Sequence, residues 1–215
     1  MPSRNAPGRA PLSRERVLAT ALAIVDAEGL DALTMRRLGS ELGVEAMSLY
    51  HHVPGKAALL DGLHEAILGE MAAPRRGRDW VETLRGMARS FRRVLLAHPR
   101  ALPIFGARPA VTEASLRHVE AALAVLRGAG LSARDSVSAF QVIVAFVVGH
   151  ALAEVGPILG GEPADPRYAT LDPESFPHLS GVVAELGEHD VEAEFEFGLD
   201  LLLTGLRARA ERPRR

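Results

Sequence analysis

The chain contains no cysteine, which excludes disulfides, thiolate metal sites and thiol nucleophiles. Aromatic residues make up only 5% of its 215 residues, although leucine, isoleucine, valine and phenylalanine are plentiful enough to bury a core. Lysine is reduced to Lys56, and the other 24 basic residues are arginine. The planar guanidinium suits phosphate and carboxylate, but codon usage produces the same bias. Long hydrophobic runs are missing. The greasiest stretch, Val142–Val148, is far shorter than the ~20 residues of a membrane span and is flanked by Gln141, His150 and Glu154, so a buried helix and no membrane are expected. The polar segment Met1–Pro11 lacks the apolar stretch of a signal peptide, so the expected compartment is the cytoplasm. The patterns G-x-S-x-G, G-x-G-x-x-G, the P-loop and H-E-x-x-H do not occur, and no nucleophile stands beside a base. The chain is therefore expected not to be an enzyme and to need no cofactor or metal.

What is present is ordinary globular material, 47% hydrophobic and 24% charged with a net charge of −2, enough for one large or two small domains. The near-neutral total does not exclude nucleic acid, because the charge of one face decides that. Apolar residues recur at helical spacing nearly throughout, and no period-2 run of any length appears. Val17, Leu18, Ala21, Leu22 and Val25 share a helix face, with Ser13 as N-cap and Gly29 as stop. A short helix follows from the Thr34 cap to Leu42, broken by Gly43, and another covers about Glu45 to His51. Pro54-Gly55 is a break, and a longer helix carries Leu59, Leu63, Ile67 and Met71. Residues 1–12 read as a flexible arm and 74–78 as a linker. Helices are then expected over Trp80 to Ala97, Thr112 to Ala129, Ser132 to about Val155 and about Val191 to Arg209. Residues 156–181, rich in glycine and proline, read as a long loop with at most a short turn. The fold class is all-α.

The order helix, threonine cap, short helix, Gly43-Val44 turn, short helix is that of a helix-turn-helix, which lays its second short helix in the DNA major groove. Gly43 allows the turn, and Leu38, Val44 and Leu49 are spaced to pack the two helices together. Ala46, Met47, Ser48, Tyr50, His51 and His52 then face outward.

The stretch LTMRRLGSELGVEAMSLYHHVPGKAALLDGL, Leu33–Leu63, resembles the DNA-binding domain of the TetR family of bacterial transcriptional repressors, and the likeness extends back to about Ser13. SFRRVLLAHPRA, IFGARP and FEFGLDLLLTGLRA resemble, more weakly, the C-terminal domain of the tetracycline-repressor branch. The resemblance implies an N-terminal three-helix DNA-binding domain with a linking helix (13–73), joined to a C-terminal helical bundle (79–210) for effector binding and dimerisation. The dimer would form through helices near 134–155 and 191–209. The partners implied are double-stranded DNA as a palindromic operator, a second copy of the chain and a small molecule.

Carried over residue by residue, Arg36 matches an arginine that contacts guanine, which a guanidinium can pair bidentately, with a solvated helix arginine as the bland alternative. Arg37 reads as a phosphate or solvent partner. Tyr50 carries over as a phosphate contact or a partly buried ring, and Lys56 as a phosphate contact at a helix start. Thr34 and Ser48 are small phosphate donors, or a cap and a solvated hydroxyl. Ala46 stands where the branch has an adenine-reading glutamine, Met47 replaces a proline and His51 a tryptophan, so the operator should differ. His52 completes the set. In the second domain Met87 replaces a drug-holding asparagine and Ile104 a magnesium-binding histidine, while Phe91 keeps the aromatic position. Phe140 and Val144 point to the same interior. These five residues imply a pocket for a hydrophobic effector and no metal; simple core packing is the alternative. His150 and Glu154, at i and i+4, read as a helix-surface pair rather than a metal site. The expected function is a dimeric repressor released from DNA by a small hydrophobic effector. A helix-turn-helix adaptor without an effector is the other reading.

Overall fold

The computed structural model describes residues 11–74, 79–156, 172–185 and 190–211, and among these every regular element is helical. The all-α class is therefore observed. The expected arm and linker fall largely on residues 1–10 and 75–78, outside the described residues.

α1 (Arg14–Glu28) starts where the Ser13 hydroxyl accepts from the Arg16 amide at 3.2 Å and stops at Gly29, followed by a 3₁₀ turn (Leu30–Ala32). α2 (Met35–Leu42) begins under Thr34, whose hydroxyl accepts from the Arg37 amide at 3.0 Å. It ends at Gly43, which has φ 64° and ψ 41°, a left-handed conformation that strains any residue with a Cβ. α3 is shorter than its sequence suggests: the helical hydrogen bonding covers Ala46–Leu49, with Glu45 extended before it and His51 already in a turn. α4 (Lys56–Gly69) follows, and Met71 lies beyond its end. Val17, Ala21, Val25, Leu38, Leu49, Leu59 and Leu63 meet in the centre of this head with essentially no exposure. Each buried valine or leucine of this set contributes about 1.5–3 kcal/mol.

α5 (Trp80–Ala97) passes through a 3₁₀ turn (Pro99–Ala101) into α6 (Pro103–Ala107), a short helix that periodicity did not reveal. α7 (Glu113–Gly128) is held by a reciprocal box between Thr112 and Ser115, and α8 (Ala133–Val155) by the Ser132 cap. α9 (Pro177–Glu185) corrects the reading of 156–181 as loop. Pro177 can begin a helix because its missing N–H would be unpaired in the first turn anyway. Residues 157–171 lie outside the described residues. α10 (Val191–Ala210) closes the chain.

α5, α7, α8 and α10 pack as a bundle, and α4 lies against α5, α6 and α7. The head is also pinned to the turn after α5. Arg100 donates at 2.8 Å to the carbonyls of Asp26 and Ala27 at the end of α1. His98 bridges Asp26 at 2.9 Å and Glu70 at 3.2 Å.

With 23 residues and an 18-residue window of mean hydropathy 1.9, α8 is by length and composition long and apolar enough to cross a bilayer, unlike the short run noted in the sequence. Val142 of α8 and Phe197 and Leu201 of α10 are large apolar side chains left exposed in the single chain, and Val142 and Leu201 line one groove between the two helices.

Candidate nucleic-acid interface and ligand cavity

The turn between α2 and α3 is closed backbone to backbone. The Val44 amide donates to the Gly39 carbonyl at 2.9 Å, and a Cβ placed on Gly39 would lie 2.9 Å from the Val44 carbonyl oxygen and 3.2 Å from the Ala46 nitrogen. With Leu38, Leu42 and Leu49 buried, this contact sets the angle at which α3 leaves the head.

The outward surface of that unit carries the sequence candidates. Met47 is 72% exposed and Tyr50 44%, values that leave both free to meet a large partner. His51, Arg36, Thr34 and Lys56 are exposed, and Ala46, Ser48 and His52 are half-buried. Lys56 is the first residue of α4, where the positive end of the helix dipole adds to its charge. The two arginines of α2 differ. Arg37 is held by Glu41 and, at 2.9 Å, by Glu28, and these carboxylates raise its already high pKa. Among the described residues no carboxylate pairs with Arg36, which keeps its five donors available.

A cavity of about 380 Å³ lies between α4, α5, α6, α7 and α8. Met87, Phe91, Phe140 and Val144 line it, together with Leu84, Leu126 and Ile143. Ile104 does not. It sits in the core at 2% exposure, and its neighbour Phe105 takes the wall position, 5.6 Å from the Phe91 ring. Consecutive residues of a helix point about 100° apart, so α6 cannot turn both inward on the same side.

The wall is not wholly apolar. His64, Arg108 and His118 reach it, and none was singled out from the sequence. His64 sits on α4 one residue after the core leucine Leu63, and no local pattern separates a cavity histidine from a packed one. Its ring lies against Phe105, 4.5 Å between centroids and tilted by 32°. Burial pushes its pKa below the ordinary histidine value, against a partial pull upward from Asp61, with Arg108 and His118 also lowering it. Burial alone lowers His118. Arg108 is tied to Asp61 of α4 at 2.7 Å.

A second polar cluster corrects the surface reading of His150 and Glu154. Arg92 of α5 is buried, lies 4.6 Å above the Phe195 ring, and pairs with Glu154 at 2.8 Å and with Glu192. His150 is wedged between Phe146 and Phe195, with Glu154 and Glu194 about 4 Å away. The i, i+4 spacing suggested a surface pair because the partners that bury it come from α5 and α10, distant in sequence.

Comparison with known proteins places these features together. Residues 17–63 match the model of bacterial regulatory proteins of the tetR family, and residues 73–210 match the tetracyclin repressor-like C-terminal domain. The tetracycline repressor protein class C of Escherichia coli is 37% identical over 200 residues, covering 91% of this chain and 90% of that one. The HTH-type transcriptional repressor DrrR1 of Streptomyces coeruleorubidus is 34% identical over 221 residues, covering 93% and 80%. Among solved structures, the TetR family protein ActR of Streptomyces coelicolor in complex with actinorhodin superposes with a TM-score of 0.83 at 35% identity, over 94% of this chain and all of that one.

Proposed function

Because the chain belongs to the TetR family of bacterial regulatory proteins and is a DNA-binding, ligand-responsive transcriptional repressor, we propose that a small hydrophobic molecule, bound in the cavity beside α4, releases it from a palindromic operator. The observation that carries this reading is the position of the cavity. Its wall includes His64 and Leu68 of α4, the helix that begins at Lys56 beside the DNA-facing surface and packs against α1. A ligand that fits better when α4 is shifted shifts the spacing of two heads, and only such differential affinity moves the equilibrium.

In this reading residues 13–73 form the DNA-binding head with its linking helix, and 79–210 bind the effector and dimerise. Two copies join through the uncovered faces of α8 and α10, burying Val142, Phe197 and Leu201. Arg36 reads a guanine, while Thr34, Ser48, Tyr50 and Lys56 hold phosphates, with Arg37, once freed from Glu28 and Glu41, beside them. Ala46 and Met47 offer apolar contact to thymine methyls, and His51 and His52 lie at the edge of the interface. Met87, Phe91, Phe140 and Val144 grip the effector, with Ile104 supporting the wall from the core. No magnesium takes part: Ile104 is set in the core, and the cavity wall carries a guanidinium and no carboxylate to neutralise a divalent cation. The protein works in the cytoplasm and catalyses nothing; its relatives are transcriptional regulators. The adaptor reading is less favoured, since it leaves the cavity without a use.

Capture of fragmented genomic DNA by the purified protein tests this. The bound fragments should share an inverted repeat whose half-sites are spaced by a helical turn or a multiple of it, as two symmetric heads require. Recovery without sequence enrichment would overturn it.

A further inference from the structure

The charge on the cavity wall is one-sided. Its polar side chains are His64, Arg108 and His118, and no carboxylate lines it. Asp61 holds Arg108 from behind the wall, through Nε at 2.8 Å and Nη2 at 2.7 Å, and Nη2 also lies 3.4 Å from the Ala57 carbonyl. The remaining guanidinium nitrogen, Nη1, has no partner among the described residues. Both imidazoles are held below the ordinary histidine range by burial, so near neutral pH each is uncharged and donates one N–H.

We propose that the effector is an apolar ring compound bearing an acidic group, a carboxylate or comparably acidic hydroxyl, received by Arg108 Nη1 with His64 and His118 as flanking donors. This rests on the reading of the cavity as the effector site. An anion taken out of water needs charge-assisted donors, and this end of the cavity supplies a cation and two N–H groups. A cationic ligand would find no counter-charge on the wall, and a pure hydrocarbon would strip water from three polar side chains without replacing their hydrogen bonds. The acid also competes with Asp61 for one guanidinium. Arg108 precedes α7 and Asp61 lies on α4, so their ion pair ties the effector-binding wall to the helix leading to the DNA-facing surface. By linkage, whatever loosens that tie strengthens the acid, and the acid in turn loosens the tie.

The test is calorimetric titration of the full chain with 2-naphthoate and 2-naphthamide, which share ring and shape and differ in charge. The wild type should bind naphthoate at least about tenfold more tightly, as expected for hydrogen bonds to a charged group. Arg108→Gln should abolish that preference while leaving naphthamide unchanged, and Asp61→Asn should tighten naphthoate alone. Equal binding of the two probes by the wild type, an equal loss of both in Arg108→Gln, or unchanged naphthoate affinity in Asp61→Asn overturns the acid site while leaving the cavity a ligand site. Binding of neither probe removes the cavity from the effector reading altogether, and the acid site with it.

Discussion

Replacing Gly39 with alanine and, separately, Gly86 with alanine should move stability in opposite directions. Both positions are inside helices, α2 and α5, so both substitutions gain about 1 kcal/mol of helix propensity. At Gly86 a new methyl would meet nothing within 4 Å. The gain is retained there, and the melting temperature should rise by about 2–4 °C for a chain of this size. At Gly39 the methyl would lie 2.9 Å from the Val44 carbonyl oxygen and 3.2 and 3.3 Å from backbone atoms of Ala46. These are backbone atoms that no rotamer change can move aside. Overpacking of this kind costs about 1–3 kcal/mol, leaving a net loss of about 0–2 kcal/mol. The cheapest relief is to push α3 away from α2, so operator affinity should fall by more than stability does. Loss of one base contact, worth about 1–3 kcal/mol, corresponds to about 5- to 150-fold. Thermal melting and fluorescence anisotropy on a captured operator fragment, at a temperature where both variants are folded, measure the two effects. A Gly39→Ala protein that melts no lower than the wild type and binds the operator equally would refute the claim that this contact fixes α3.

Arg36→Ala should cost about 1–3 kcal/mol and relax preference at one base pair, whereas Tyr50→Phe should weaken all sequences alike; competition with single-base operator variants separates them. His98 should make stability pH-dependent. Burial lowers its pKa, but hydrogen bonds and charges from Glu70 and Asp26 outweigh burial and the net shift is upward. Its contribution is then fully present below about pH 6.5, the unfolded value, and fades as pH rises through the higher folded value. The wild type should therefore lose its stability margin over His98→Asn as pH is raised, and a margin that is flat or grows with pH contradicts the bridge. Tetracycline with magnesium should not release the operator at micromolar concentration, because no carboxylate lines the cavity and Ile104 lies off its wall; magnesium-dependent release would show that His64 or His118 completes the coordination.

The parts of the fold written in local chemistry were legible. Ser13, Thr34 and Ser132 act as caps because the first-turn amides of a helix have no carbonyl partner and a side-chain oxygen three residues earlier supplies one, and Gly43 shows its turn through the absence of a Cβ. The long helices were equally plain from their spacing. What depended on partners distant in sequence was not. α6 is only five residues long, too short for a period, so the exchange of Ile104 for Phe105 at the wall was hidden. Nothing in SFRRVLL marks Arg92 off from any other helix arginine, because α8 and α10 supply the carboxylates and the ring that bury it. The polar end of the cavity was missed for the same reason: His64, Arg108 and His118 come from three parts of the chain, and only the packing of α4 against α7 brings them to one wall.

The coupling of cavity to DNA is tested most directly by a release screen on the captured operator. Apolar compounds small enough for about 380 Å³ are titrated against the operator complex of the wild type and of Ala122→Phe, which places a ring into the cavity from α7. Compounds that release the wild type should be found without added magnesium, and they should fail on Ala122→Phe while that variant still binds the operator. A screen that yields no releasing compound, or compounds that release both proteins equally, would contradict the coupling.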